Sequence, residues 1–402
     1  MKGSSNMSIP RNFAVSFGPS RPRKGVGKVL IAGNAVLDIT PVISDKENVS
    51  FREIFTPGRL SVMDGVDIHA GGACGNTGAA MAYYGSKVIL AARSGEDAFG
   101  DILAEVIESK GISGRFIRSD ETRTSYTIVL AVPGSDRIFL HDPGAGDLFC
   151  PDDLKTIDLS DIRLFHFGYP PLMRKMFENE GSELVRMFSN MKRNPILTSL
   201  DMAMVSPNSP AGKANWKEIL RKTLPFVDFF LPSLEETCMY LDPERYRSWV
   251  VRGADGSSVP QDLSVTGDIA PLADELIAMG AGVVLIKCGE FGMYFRTASP
   301  ERLTETAKLL DCDPAVLGNQ AGFARALKAE HVVSANGAGD AAIAGFLAAM
   351  MEKRPFEECI LLALASGSCS VTGYDAVSAL IPFDEMLARI KSGWERNNAI
   401  RD

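Results

Sequence analysis

The tetrapeptide GAGD occurs twice in this chain, at residues 144–147 and 337–340. Two glycines let a backbone close around a phosphate, and a carboxylate beside them can take up a proton. The same four letters also make an ordinary turn. Context separates the copies. The first sits between Pro143 and Pro151, and "LFCPDDL" offers no helix directly after the glycines. A turn is the reading there. The second follows the apolar "HVV" and precedes Ile343, Phe346, Leu347 and Met350, an i, i+3, i+4, i+7 set that marks one face of a helix. Gly337, Ala338 and Gly339 therefore stand where a loop enters a helix. The first N–H groups of a helix lack internal partners, and the macrodipole puts partial positive charge there. An anion fits such a place. Asp340 would repel that anion, so it needs a reason. One is a general base that takes a hydroxyl proton while the N–H groups stabilise a transferring phosphoryl. The other is a helix cap. The fragment alone does not choose between them.

Other phosphate motifs fit less well. "GAGDAA" satisfies G-x-G-x-x-A, but it lies late in the chain, and the acids about 20 residues on, Glu357 and Glu358, fall in a helical segment. "GVGKVL" lacks the first glycine and the hydroxyl of G-x-x-x-x-G-K-[ST].

A second candidate site lies far away in sequence. "DIHAGGACGNTGAAMAYYG" carries Gly71, Gly72, Gly75 and Asn76 ahead of a helix. Adjacent glycines admit a ligand to the backbone, and Asn76 both donates and accepts, as sugar hydroxyls require. The plainer reading is a turn capped by Asn76. Asp38, taken as the end of the first strand, is a further hydroxyl-binding candidate, because ligands of open α/β sheets lie beyond strand C-termini. Its plainer reading is a turn residue before Pro41.

The elements that must carry these residues alternate. "KVLIAGNAVLDIT", "SKVILAARSG", "IRLFHFGY", "PILTSLDMA", "VDFFLPS" and "GVVLIKCG" read as apolar strands, with helical segments between them. That is the pattern of a mostly parallel sheet covered on both faces. The alternating segments near 40–70 and 120–142, including a hairpin of "TSYTIVLAV" and "DRIFLHD", fall outside the series and predict a small β lid. Segments near 241–268 and 299–330 read as insertions, and residues 1–27 as a flexible basic tail. The remainder, 28–402, forms the main unit.

Bulk properties narrow the function classes. The chain has 402 residues and a net charge of −8. An acidic balance argues against a nucleic-acid partner. No apolar run is long enough to span a membrane. The seven cysteines are scattered without a C-x-x-C, and the four histidines show no ligand spacing. A reducing, cytoplasmic setting without a zinc site is the expectation.

Together, "GGACGNTGAAMAYYG" and "SANGAGDAAIAGFLAAM" resemble the two signatures of the ribokinase, or PfkB carbohydrate kinase, family: G-G-x-x-x-N-x-A and D-T-x-G-A-G-D. "ARSGEDAFG", "LPSLEET", "IKCGEFGMYF" and "TGYDAVSALIP" resemble that family's G-x-D-x-x-G, P-N-E-x-E, T-x-G-x-x-G and adenine-side stretches, in family order. The resemblance implies a ribokinase-like fold: a Rossmann-like three-layer α/β/α sandwich with a small β-sheet lid. It implies ATP- and Mg2+-dependent phosphorylation of a hydroxymethyl group on a sugar or related alcohol. Carried over by position, Asp340 is the base and Gly337, Ala338 and Gly339 form the anion hole. Asp38, Gly71, Gly72 and Asn76 face the sugar. Gly289, Gly292, Ser233 and Asn336 lie on the nucleotide side, and Glu236 on the metal side. The family's lid strands often pair between subunits, which implies a homodimer.

The departures are specific. Ser334 and Ala335 replace the Asp-Thr pair, which leaves activation by K+ open. Ser233 and Leu234 replace the Asn and first Glu of P-N-E-x-E. Asn336 before GAGD is shared with adenosine kinases and keeps a nucleoside substrate open. A catalytically idle, ligand-binding homologue is the third reading.

Overall fold

The computed structural model describes residues 27–43, 54–132, 138–252, 262–398 and 400. The basic tail expected over 1–27 lies outside them, apart from Gly27.

Nine strands form the large sheet. They are β1 (Lys28–Gly33), β4 (Lys87–Gly95), β5 (Ser113–Ser119), β8 (Ile162–Gly168), β9 (Leu197–Leu200), β10 (Phe229–Phe230), β11 (Val283–Lys287), β12 (Gly292–Thr297) and β13 (Ala321–Arg325). Their order is β13-β12-β11-β10-β9-β8-β1-β4-β5. Pairing is parallel from β5 to β11, and β12 joins β11 and β13 antiparallel. Apolar side chains fill both faces, so separate hydrophobic clusters flank the sheet. This is why the strands read as continuous apolar runs instead of alternating ones. The segment near 299–330 contributes the helix Pro300–Leu310 and also the edge strand β13. Its small residues, "AGFAR", gave little strand signal.

The smaller sheet has four strands: β2 (Val36–Pro41), β3 (Val66–Gly71), β6 (Tyr126–Leu130) and β7 (Ile138–Asp142), ordered β3-β2-β6-β7. Here the sequence reading of Asp38 needs correction. The chain leaves the large sheet at Gly33, where φ is +121°, and Asp38 lies inside β2, opposite His69 and Thr127. It belongs to the small sheet and not to the end of the first strand.

Two helices meet at the site. Gly72–Tyr83 begins directly after β3, and Ala338–Met351 packs against it and against Phe356–Ser370. The helix Ala338–Met351 is buried from Asp340 to Met350. A helix buried on every side has no polar face, which is why its sequence is nearly all apolar or small.

Candidate active site

Asp340 is the centre of the site. It is 3% exposed and is the third residue of its helix. Its Oδ2 accepts from Tyr169 Oη at 2.7 Å and Asn76 Nδ2 at 3.0 Å, and its Oδ1 accepts from Thr77 Oγ1 at 2.9 Å. The cap reading therefore fails: Gly337 is the cap residue, and no side chain caps this end. Burial pushes the Asp340 carboxyl above its ordinary pKa, while the three donors and the nearby Lys287 ammonium pull against that shift. Gly337 has φ +77°, and a Cβ there would lie 2.5 Å from the Ala376 Cβ. Both conformation and space require glycine at this turn.

Asn76 is also repositioned by the structure. The helix begins at Gly72, so Asn76 is one turn inside it and caps nothing. Its side chain is the arm that reaches Asp340. Gly72 has φ +72° and lies against Asn34. At Gly71 a Cβ would fall 2.0 Å from Asp38 Oδ2, so this glycine leaves room for the carboxylate. Burial drives the Asp38 carboxyl up to about 7; the Thr127 hydroxyl works against this and the charge of Asp340 adds to it.

Two partners of Asp340, Asn76 and Tyr169, open onto a cavity of about 940 Å³. Asp38, Gly72, Asn76, Tyr169 and Asn336 line it, together with an apolar wall that includes Phe139, Leu172, Phe177, Met204 and Val205. The first GAGD copy is a tight 3-10 turn, Gly144–Leu148, as a turn reading requires. Its Asp147 nevertheless lines the same cavity and accepts from the Arg174 backbone N–H at 2.9 Å.

The residues assigned to the nucleotide side are placed differently from one another. A Cβ at Gly289 would meet open space. One at Gly292 would lie 2.1 Å from the Ala324 carbonyl oxygen, so that glycine serves the close approach of β12 and β13. Ser233 and Glu236 form a capping box on the helix Leu234–Leu241. Ser233 N donates to Glu236 Oε2 at 2.7 Å, and Glu236 N donates to Ser233 Oγ at 3.2 Å. Asn336 N donates to Ser334 Oγ at 3.2 Å. No group of three or more His, Cys, Asp or Glu able to hold a metal occurs among the described residues. Magnesium needs none, because one or two carboxylates with substrate phosphates and water suffice.

Four polar residues around the site escaped the sequence reading: Asn34, Tyr169, Asp201 and Lys287. Each stands at or just past the C-terminal end of a parallel strand, β1, β8, β9 and β11 respectively. The first polar residue after an apolar strand was the available signal. Asn34 is fully buried, and among the described residues neither amide atom has a hydrogen-bond partner, though it lines the cavity. Lys287 Nζ contacts Asp201 Oδ1 at 2.8 Å and the Leu231 carbonyl. Arg93 is a structural pin: Nε donates to Asp153 Oδ2 and Nη2 to Asp153 Oδ1, each at 2.9 Å.

Over 145 residues the chain is 28% identical to probable fructokinase-3 of Arabidopsis thaliana, covering 35% of this chain and 39% of that protein. The matched stretches span about two fifths to just over half of the plant fructokinases the chain resembles. Ribokinase of Arabidopsis thaliana, complexed with ribose and ATP, superposes with TM-score 0.64 at 19% identity, over 91% of this chain and 99% of that one. A putative ribokinase II of E. coli, in complex with ATP and Mg2+, gives TM-score 0.64 at 18% identity over the same shares of each chain. Those likenesses establish the ribokinase-like fold. The model of the pfkB family carbohydrate kinases matches residues 34–382, and the chain belongs to that family.

Proposed function

We propose that this protein transfers the γ-phosphoryl group of ATP to a hydroxymethyl group of a sugar or sugar derivative. The supporting observation is Asp340, a buried carboxylate held by three donors at the glycine-rich start of a helix. The cavity holds the alcohol with its hydroxymethyl oxygen beside Asp340. Asp38, Gly71, Gly72 and Asn76 bind the remaining hydroxyls. Asp340 takes the hydroxyl proton, and burial makes it a stronger base than an exposed aspartate. The backbone at Gly337, Ala338 and Gly339 stabilises charge on the phosphoryl in transit. Gly289, Ser233 and Asn336 border the nucleotide, while Gly292 holds the hairpin beside it. Magnesium carried with the nucleotide would neutralise phosphate charge, and Glu236, one of whose oxygens accepts from the Ser233 N–H, is the carboxylate that would hold its water shell. Ser334 and Ala335 stand where the family's Asp-Thr pair would, which leaves activation by K+ open.

Asp340→Ala should lower kcat by roughly 10²–10⁴-fold while ATP still binds. Normal turnover by that variant would remove the base assignment. A panel of sugars and nucleosides with ATP and Mg2+, run with and without K+, identifies the acceptor. A nucleoside acceptor is the second reading, favoured by the apolar wall of the cavity and by Asn336 at its edge. Phosphorylation of sugars alone would eliminate it.

We also propose a homodimer formed through the small sheet, whose Val66, Ile138, Phe139 and Leu140 are exposed apolar residues. All seven cysteines are unpaired, which supports a reducing cytoplasmic setting.

A further inference from the structure

Lys287 ends β11, and its side chain is 16% exposed. Its terminal carbons lie against the glycine-rich loop: a Cβ on Gly339 would be 3.3 Å from Lys287 Cε and 3.7 Å from Cδ. Asp201 Oδ1, at 2.8 Å, and the Leu231 carbonyl take two of the ammonium's donors. An ammonium has three. Among the described residues no other partner takes the third.

The surroundings explain why a cation is needed. Asp201, Glu236 and Asp340 all act on Lys287. Burial disfavours the ammonium, but these carboxylates outweigh it and hold the lysine's pKa above its ordinary value. Lys287 is thus the cation set among three acidic side chains, Asp201, Glu236 and Asp340. Asp201 alone does not account for the lysine either. A pair of apolar residues would serve a purely structural role there as well or better, since a buried ion pair brings little net stability.

We propose that Lys287 is the fixed cation of the phosphoryl-transfer site, its third N–H donating to the terminal phosphate of ATP beside Gly339. This rests on the kinase reading above and adds a residue to it. In the step itself, a bond forms between the hydroxymethyl oxygen and the γ-phosphorus. The bond from that phosphorus to the β–γ bridging oxygen breaks, and its electron pair leaves with ADP. The hydroxyl proton goes to Asp340. Lys287 keeps all its protons and contributes charge alone. Asp201 and the Leu231 carbonyl fix its direction, so little reorganisation is needed when charge develops.

Calorimetric titration of the full chain with ATP–Mg2+ and with adenosine tests this. Lys287→Met should weaken ATP binding by about 10-fold or more, the scale of a lost charge-assisted hydrogen bond. Adenosine binding should stay within about 2-fold, because the nucleoside carries no phosphate to lose. The double variant K287M/D201N removes both members of the pair and guards against an uncompensated buried carboxylate; it should show the same phosphate-specific loss. Unchanged ATP affinity in a folded variant overturns the proposal. So does an equal loss for adenosine and ATP with a fallen melting temperature in both variants, which would make the pair structural. Failure of the unmodified protein to bind ATP would instead overturn the kinase reading, and the role of Lys287 with it.

Discussion

At the scale of single residues, the partly buried carboxyl of Asp38 makes a prediction about protonation. Asp38 has an ordinary value of 3.8 and is raised to about 7 in the folded chain. Between those values the folded state keeps a proton that the unfolded chain has released. Its contribution to stability is therefore fully present below about pH 4, falls as pH rises toward about 7, and is flat above. Asp38→Asn should flatten that part of the profile; melting temperatures of both proteins from about pH 5 to 8 check it. Parallel profiles would mean Asp38 titrates normally. Asn34 allows a second test. Its amide makes no hydrogen bond among the described residues, so truncation to Ala removes none there. A higher KM for the acceptor, by about 10-fold, with an unchanged melting temperature is expected if the amide binds substrate. A large loss of stability with an unchanged KM would make it a packing residue. Asp340 and Asn76 were legible in the sequence because their neighbours form short motifs. Tyr169 and Lys287 were not, since each reaches the site from the end of a different strand, β8 and β11. Their contact with Asp340 or Gly339 exists only after folding.

At the scale of elements, glycines in one hairpin separate packing from ligand approach. Gly292 has φ +126° and a Cβ position 2.1 Å from the Ala324 carbonyl oxygen. Gly292→Ala should cost about 1–3 kcal/mol through backbone strain and a forced shift of β13, with a lowered melting temperature. Gly289 faces open space at φ +54°. Gly289→Ala should cost about 1 kcal/mol; its larger effect should fall on ATP affinity. Thermal melts paired with ATP titrations separate the two, and identical behaviour would void the distinction. The strand series was readable because strands covered on both faces are apolar throughout. Boundaries were less so. The helix at Gly72 begins four residues before Asn76, in a glycine-rich stretch with low helix propensity. Packing against the helix Ala338–Met351 decides that start, and no local signal does.

At the scale of the molecule, the two sheets divide the work. The large sheet presents the ends of β1, β8, β9 and β11 to one site, while the small sheet brings Asp38 to it from a separate element. The exposed apolar residues of the small sheet predict self-association. Sedimentation velocity should show a dimer that Phe139→Asp with Leu140→Asp dissociates. A monomer at every concentration would remove the lid pairing. The sequence by itself determined the fold class, the entry of a helix after Gly337 and the identity of the proposed base, because those are written in local periodicity and short motifs. Only the tertiary structure decided that Asp38 lies in the small sheet, that Asn76 binds Asp340 instead of capping a helix, and that a lysine lies against the glycine loop. Those facts depend on contacts between residues as many as 264 positions apart, as in the Asn76–Asp340 bond, and no local pattern encodes such a distance.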